Sequence, residues 1–394
     1  MSELRSRYLE TAAASDLNNR MVFVAGPRQV GKTTLATLLA RRYPNSVYLN
    51  WDNRTHRERI LRQEWDPDSQ ILVFDELHKF DRWKGLIKGI WDTRPNNERI
   101  IVTGSSRLDT YRRGGDSLLG RYHLYRLHPF SASELEGDRI KNDPVEPFEL
   151  TFGKASSDNV RHLMAYGGFP EPCLSGRSRT HRRWLQERFE RVFREDIRDT
   201  TVVRSLSQIE LLGAMMPKRV GSPLSLNAIS EDLEVSPHTV RTWVDLLCRN
   251  YYTYPVAPYH RRIERAVKKS AKYYLWDWSE VADEGARFEN LVASHLLKFC
   301  QFLRDAEGIK AELRLLRDRE KREVDFVVLW DEKPWFLVEC KLTAPRSHGH
   351  LVRFGDLLDV KQKYVVALSE TADYRDNDTG VRVLPASRFL TAFP

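Results

Sequence analysis

The stretch from Met21 to Thr34 (MVFVAGPRQVGKTT) constrains this chain more than any other. MVFVA reads as a short buried strand, and KTTLATLLARR reads as an amphipathic helix. Between them, Gly26 to Thr33 fits G-x-x-x-x-G-K-[ST] in full, in the strand–loop–helix setting that gives the pattern its meaning. The glycines let backbone N–H groups wrap a phosphate, and the helix N-terminus adds the positive end of a dipole. The expected nucleotide-binding residues are Gly26, Pro27, Arg28, Gln29, Val30, Gly31, Lys32, Thr33 and Thr34. Lys32 is expected to reach the β- and γ-phosphates of ATP, and the Thr33 hydroxyl to ligate Mg²⁺. A plain glycine turn that starts a helix has no need of Lys-Thr at this place.

A second apolar run, Ile71-Leu72-Val73-Phe74, ends in Asp75-Glu76. In a parallel sheet such a strand end is expected beside the phosphate loop. Asp75 then serves the Mg²⁺ shell, and Glu76 orients or deprotonates water, the role that separates an ATPase from a kinase. A third run, Ile100-Ile101-Val102-Thr103, continues into Gly104-Ser105-Ser106-Arg107. Thr103 or Ser105 can sense the γ-phosphate or its water, or simply cap a helix. Arg121 opens the alternating stretch RYHLYRL and is either an arginine finger for a neighbouring subunit's ATP or a surface cation.

The alternation of strands and helices over roughly the first 140 residues predicts an α/β fold built on a mostly parallel sheet. Helical segments follow to about residue 220. Leu226–Leu233 reads as a short helix, Glu234–Pro237 as a turn with Ser236 as N-cap, and His238–Asn250 as a second helix with Val240, Trp243, Val244 and Leu247 on its apolar side. That is a helix-turn-helix, and YYTYPVAPY after it reads as a wing. Its second helix can enter a DNA groove with His238, Thr239, Arg241 and Thr242, or the unit can serve as a lid or an oligomerisation module.

Near the C-terminus, Glu323–Trp330 and Trp335–Leu342 read as two strands joined at Asp331–Pro334. Folding this hairpin sets Asp325 opposite Glu339–Cys340, and the strand period places Glu339 and Lys341 on one face. Glu289 lies at the edge of the apolar stripe of GARFENLVASHLLKF, from which it can face the same centre. Two carboxylates and a lysine so arranged can bind Mg²⁺ and activate water for phosphodiester cleavage. The other reading is a surface hairpin with scattered charges, which leaves Glu339 and Lys341 unexplained in an otherwise apolar strand. The set Glu289, Asp325, Glu339 and Lys341 resembles the PD-(D/E)xK nuclease superfamily. As that resemblance implies, the four would be catalytic, with Asp325 and Glu339 as metal ligands.

GPRQVGKTT, LVFDELHK, IVTGSSRLD, LLGRYHLYRLHPFS and YGGFPEP, taken in order, resemble a prokaryotic AAA-type ATPase family whose C-terminal region has long been described only as a domain of unknown function. The resemblance spans nearly the whole chain and implies an AAA-like core, a helical lid and a winged helix. With the hairpin reading it sets the expected boundaries: ATPase core 1–148, lid or linker 149–220, winged helix-turn-helix 221–262, and restriction-endonuclease-like α/β domain 268–394.

Composition bounds the rest. A chain of 394 residues exceeds one ordinary core. The formal net charge of +8, with clusters at 177–198 and 261–272, permits contact with DNA without requiring it. The first cluster interleaves acids at helical spacing, as in Glu187–Arg191 and Glu190–Arg194, and reads as a solvated helix face. The four cysteines are scattered without paired spacing, so they are expected to be reduced thiols. No stretch approaches the roughly 18 apolar residues of a membrane span, and the first residues lack a secretory signal's apolar region. We therefore expect a cytoplasmic homo-oligomer without membrane contact, acting either as an ATP-driven DNA-processing enzyme or as an ATP-dependent switch with a silent docking domain.

Overall fold

The computed structural model describes residues 5–95, 98–104, 108, 118–137, 146–153, 156–197, 205–259, 271–345, 348–369 and 373–394. The chain divides into two compact units, Met1–His128 and Pro129–Pro394.

In the first unit, β1 (Met21–Ala25), β2 (Ser46–Asn50), β3 (Ile71–Asp75), β4 (Arg99–Thr103) and β5 (Tyr122–Arg126) form one parallel sheet in the order β2-β3-β4-β1-β5. β1 and β3 are buried along their whole lengths, which is why they read as unbroken apolar runs. Among the described residues, α1 (Glu10–Asp16), α2 (Lys32–Ala40), α3 (Arg54–Arg62) and α4 (Trp83–Thr93) belong to this unit. α4 packs Trp83, Ile87 and Ile90 against Phe23, Leu49 and Phe74 of the sheet. The order differs from the simplest expectation in one respect: β4 lies between β1 and β3, so the acidic strand end is one strand removed from the strand that feeds the phosphate loop. Both neighbours of β4 end at the same edge of the sheet, which keeps Asp75 on the side of the loop.

The second unit starts with a capping box: Ser131 caps the helix Ala132–Glu136 and Glu134 returns the hydrogen bond. Helices Ser157–Tyr166, Pro170–Ser175, Ser178–Arg191 and Leu206–Met215 follow. On Ser178–Arg191 the ion pairs differ in part from those spacing suggested. Arg183 pairs with Glu187, and Arg194, just beyond the helix, turns to Glu210. The two helices expected at 226–233 and 238–250 are Leu226–Asp232 and Pro237–Arg249, capped by the Ser225 and Ser236 side chains. Val240, Trp243, Val244 and Leu247 are buried. β6 (Thr253–Val256), in YYTYPVAPY, pairs antiparallel with β7 (Lys272–Leu275) in a two-stranded ribbon separate from the C-terminal sheet.

A long helix, Glu284–Ala306, leads into β8 (Ala311–Arg317), β9 (Glu323–Trp330) and β10 (Lys333–Lys341), an antiparallel meander. The helix Gly349–Leu358 crosses to β11 (Gln362–Ala367), which runs parallel to β10. β12 (Tyr374–Arg375) and β13 (Arg382–Pro385) complete the order β12-β13-β11-β10-β9-β8. The β9–β10 turn is tighter than expected. Asp331 and Glu332, at φ 46° and 69°, make it alone, and Pro334 already belongs to β10 beside a register shift. All four cysteines are free.

Candidate active site

The phosphate loop closes around two glycines that admit no side chain. Gly26 has φ 147°, and a Cβ there would come within 2.5 Å of the Leu127 carbonyl oxygen. Gly31, at φ 100°, caps α2 in the left-handed region. Between them Pro27 and Val30 are buried, Arg28 is half-buried, and Gln29 is exposed at φ 60°. Lys32, 6% exposed, donates to the carbonyls of Gly26 at 3.0 Å and Pro27 at 2.8 Å, which aims its ammonium across the loop. Thr33 and Thr34 lie in the first turn of α2.

Asp75, 3% exposed, is the hub of the site. Its Oδ2 accepts from the Thr33 hydroxyl at 3.0 Å, from Asn50 Nδ2 at 3.1 Å and from the Tyr48 hydroxyl at 2.5 Å. Its Oδ1 accepts from the buried Thr103 hydroxyl. The sheet order explains this convergence, since β2, β3 and β4 end side by side with Asn50 in register with Asp75. Thr103 therefore spends its hydroxyl on the acid and not on a helix cap. Ser105 lies outside the described residues. Burial first, then the bond to Asp75, pushes the Tyr48 phenol up to about 12, so it stays a donor.

Glu76 sits at φ 58°, a left-handed conformation that costs a non-glycine residue. Its carboxylate lies 3.5 Å from Lys79 Nζ and 3.8 Å from His78 Nε2. Arg121 is elsewhere. Its carbonyl accepts from Met21 N–H, and Tyr122 is in register with Met21, so it stands at the end of the sheet opposite the phosphate loop. There its guanidinium pairs with Asp92 at 2.9 Å. It cannot serve its own chain's nucleotide from that position.

Three residues of this site carry no motif. Tyr48 and Asn50 show in the sequence only as polar members of a strand. Arg7, 4% exposed, donates to the Val30 carbonyl at 2.8 Å and to the His128 carbonyl at 2.5 Å, fastening the loop from behind.

In the second unit the hairpin register brings Asp325 beside the Glu339–Lys341 strand. Val338 faces Phe326, and one step further Cys340 N–H donates to Asp325 Oδ2 at 2.8 Å. Lys341 Nζ is 2.8 Å from Glu339 Oε1. Burial first, then the charge of Glu289, raises the Asp325 carboxyl well above the usual carboxylate range. Glu289 itself accepts from Lys272 Nζ at 3.0 Å and from the Tyr274 hydroxyl at 2.7 Å. Among the described residues no three His, Cys, Asp or Glu side chains are placed to hold one metal ion.

The parallel sheet, the glycine loop and the Thr33–Asp75 pair define a P-loop ATPase domain. A family model agrees for this part of the chain. Residues 18–136 match the family model described as an AAA domain. Residues 157–281 and 284–389 match two further models, each described only as a domain of unknown function. An uncharacterized protein of Methanocaldococcus jannaschii is 21% identical over 340 residues, 80% of this chain and 73% of that one. One of Haemophilus influenzae is 23% identical over 350 residues, 82% and 83% of the two chains. Among solved structures, a Walker-type ATPase of Pyrococcus abyssi overlaps 71% of this chain and 94% of its own at 13% identity, with a TM-score of 0.43. A single-substitution variant of Thermotoga maritima RuvB overlaps 64% and 89% at 16% identity, with a TM-score of 0.31. None of the helices among the described residues is long and apolar enough to cross a membrane.

Proposed function

We propose that this protein is a Mg²⁺-dependent ATP hydrolase whose turnover drives a rearrangement read out by its second unit. The observation that carries the reading is the meeting of Thr33 and Thr103 on opposite oxygens of Asp75, with Lys32 held over the glycine loop. Thr33 and Asp75 form an oxygen donor set that suits Mg²⁺, which when bound would neutralise charge on the phosphates. Loop N–H groups and Lys32 hold the β- and γ-phosphates. Tyr48, Asn50 and Thr103 fix the Asp75 carboxylate, so it is oriented before substrate arrives. Glu76 orients the attacking water and takes its proton. In the test, Lys32→Ala loses nucleotide affinity. Glu76→Gln keeps it and loses turnover by about 10²–10⁴-fold, the range for removal of a general base. Undiminished ATP binding by Lys32→Ala would refute the assignment.

DNA is the partner favoured by a second feature. On Pro237–Arg249 the side chains of His238, Arg241 and Thr242 are exposed, and the β6–β7 ribbon follows in the chain, as in winged helix-turn-helix proteins. In the sequence, the segment that joins β6 to β7 carries Arg261, Arg262, Arg265, Lys268 and Lys269, which lie outside the described residues and whose charge favours phosphate contact. Duplex binding that weakens steeply with salt and falls in Arg241→Ala supports this reading; salt-insensitive or absent binding removes it. The C-terminal region follows the helix–meander–helix–strand order of PD-(D/E)xK proteins, with Glu289, Asp325, Glu339 and Lys341 on the corresponding elements. That order supports a nuclease-like fold, and we read the region as a docking domain, for the reason given next. The position of Arg121, turned away from its own nucleotide, suits action on a neighbouring copy in a homo-oligomer.

A further inference from the structure

The acidic cluster of the second unit contains a lysine that no part of the nuclease pattern calls for. Lys272 opens β7 and is 2% exposed. Its Nζ lies 3.0 Å from Glu289 Oε1 and also bonds Glu323. Tyr274, on the same face of β7, donates to the same Glu289 oxygen at 2.7 Å. Gly221, at φ 76°, covers the other oxygen: a Cβ there would lie 3.3 Å from Glu289 Oε2. Glu289 is thus enclosed by residues contributed from the segment upstream of its own helix. Lys272 and Tyr274 fall in the part of the chain matched by one family model, and Glu289, Glu323, Asp325 and Glu339 in the part matched by the next.

Burial by itself would lower the Lys272 ammonium. The charge of Glu289, followed by those of Asp325 and Glu323, outweighs burial and holds it above its usual value, so it stays protonated. A buried ammonium bonded to two carboxylates is hard to displace: Glu323 keeps Arg317 at 3.5 Å, but withdrawing Lys272 takes from Glu289 its ion pair. A divalent ion at the same acids would need their lone pairs at roughly 2.0–2.6 Å and would face the ammonium's like charge. The donor set therefore does not fit the metal that the nuclease pattern implies.

We infer that Lys272 is the resident cation of this centre: bonded to Glu289 and Glu323, it supplies the positive charge among these acids in place of a divalent ion, and it ties the β6–β7 ribbon to the C-terminal acids. The domain takes no catalytic metal there and cuts no phosphodiester. The inference is independent of ATP hydrolysis in the first unit, and its test reads metal occupancy alone.

The experiment is equilibrium dialysis of Mn²⁺ against the full chain without nucleotide, for wild type, Asp325→Asn, Lys272→Ala and the double variant. Wild type and Asp325→Asn are expected to bind the same amount, because the centre holds none. Lys272→Ala is expected to gain one bound ion per chain and to lose it again in the double variant. Mn²⁺ should also raise the melting temperature of Lys272→Ala more than that of wild type. A wild-type protein that loses one bound Mn²⁺ on Asp325→Asn substitution overturns the inference, as does folded Lys272→Ala that gains none. Should Lys272→Ala fail to fold, wild type against Asp325→Asn decides, since the Asn side chain still accepts the Cys340 hydrogen bond.

Discussion

Thr103→Val is the most informative single change in the ATP site. Valine keeps the shape of threonine and removes only the hydroxyl that bonds Asp75 Oδ1. Oδ2 keeps its bonds from Thr33, Tyr48 and Asn50, so the damage is confined to one oxygen of a carboxylate that is 3% exposed. A hydrogen bond to a buried charged group is worth about 1.5–3 kcal/mol, and we expect nucleotide-free protein to lose about 2 kcal/mol. For a unit of this size that is a fall of roughly 8 °C in melting temperature. Calorimetry without ligand and with Mg²⁺ plus a non-hydrolysable ATP analogue measures it. The deficit should shrink with ligand, because a bound Mg²⁺ would compensate the charge of the Asp75 carboxylate. In steady-state ATPase assays kcat should fall about tenfold, the equivalent of 1.4 kcal/mol of lost positioning. Thr103→Ser retains the hydroxyl and should behave nearly as wild type in both assays. If Thr103→Val melts and turns over like wild type, then the Asp75 hub does not govern the site and the reasoning from convergence fails.

Arg7→Ala strands two buried carbonyl oxygens, and we expect a stability loss of about 2–4 kcal/mol together with weaker ATP binding. Arg7→Lys should recover little, since the two carbonyls are taken by the separate Nη1 and Nη2 arms of a guanidinium fork that an ammonium does not reproduce; equal affinities in all three proteins would contradict a role in holding the loop. His295 is fully buried, bonded to the Leu291 carbonyl, and its Nε2 accepts from Ala132 N–H, so only the neutral ring fits. Burial, the largest cause, pushes its pKa down to about 4. The unfolded ring titrates near 6.5, so between there and about 4 the unfolded chain binds more protons, and stability falls as pH drops through that window by about 3 kcal/mol. Urea denaturation across this range should show the slope in wild type and lose this component in His295→Gln. For Arg121, mixing Arg121→Ala with Lys32→Ala should restore part of the ATPase activity that neither shows alone, if a neighbour supplies the arginine. A mixture no more active than the sum of its parts would assign Arg121 to the Asp92 ion pair only.

Where the sequence was sufficient, the needed information lay within one contiguous segment. The phosphate loop is local: its glycines, Lys32 and Thr33 lie within eight residues, and a strand before them and a helix after them fix their geometry. The β9–β10 hairpin is local in the same sense, and alternation along two adjoining strands was enough to set Asp325 opposite Glu339–Cys340. The intervening strand of the first sheet was not legible, because strand order depends on how helices pack across faces, and no single segment records that. Tyr48, Asn50 and Arg7 stayed hidden for the same reason: each looks like an ordinary polar residue until the sheet edge or the buried loop carbonyls are brought to it.

Lys272 shows the division most sharply. In the sequence it ends the basic cluster 261–272, whose charge permits contact with DNA without requiring it. In the folded chain the pairing of β6 with β7 carries it to Glu289 and Glu323, where solvent is excluded and its charge must be matched. Local chemistry thus determined which groups can hold a nucleotide. Long-range packing decided which acids are left for a metal and which already have their counter-ion, because the cost of burying charge is set by neighbours that only the tertiary structure supplies.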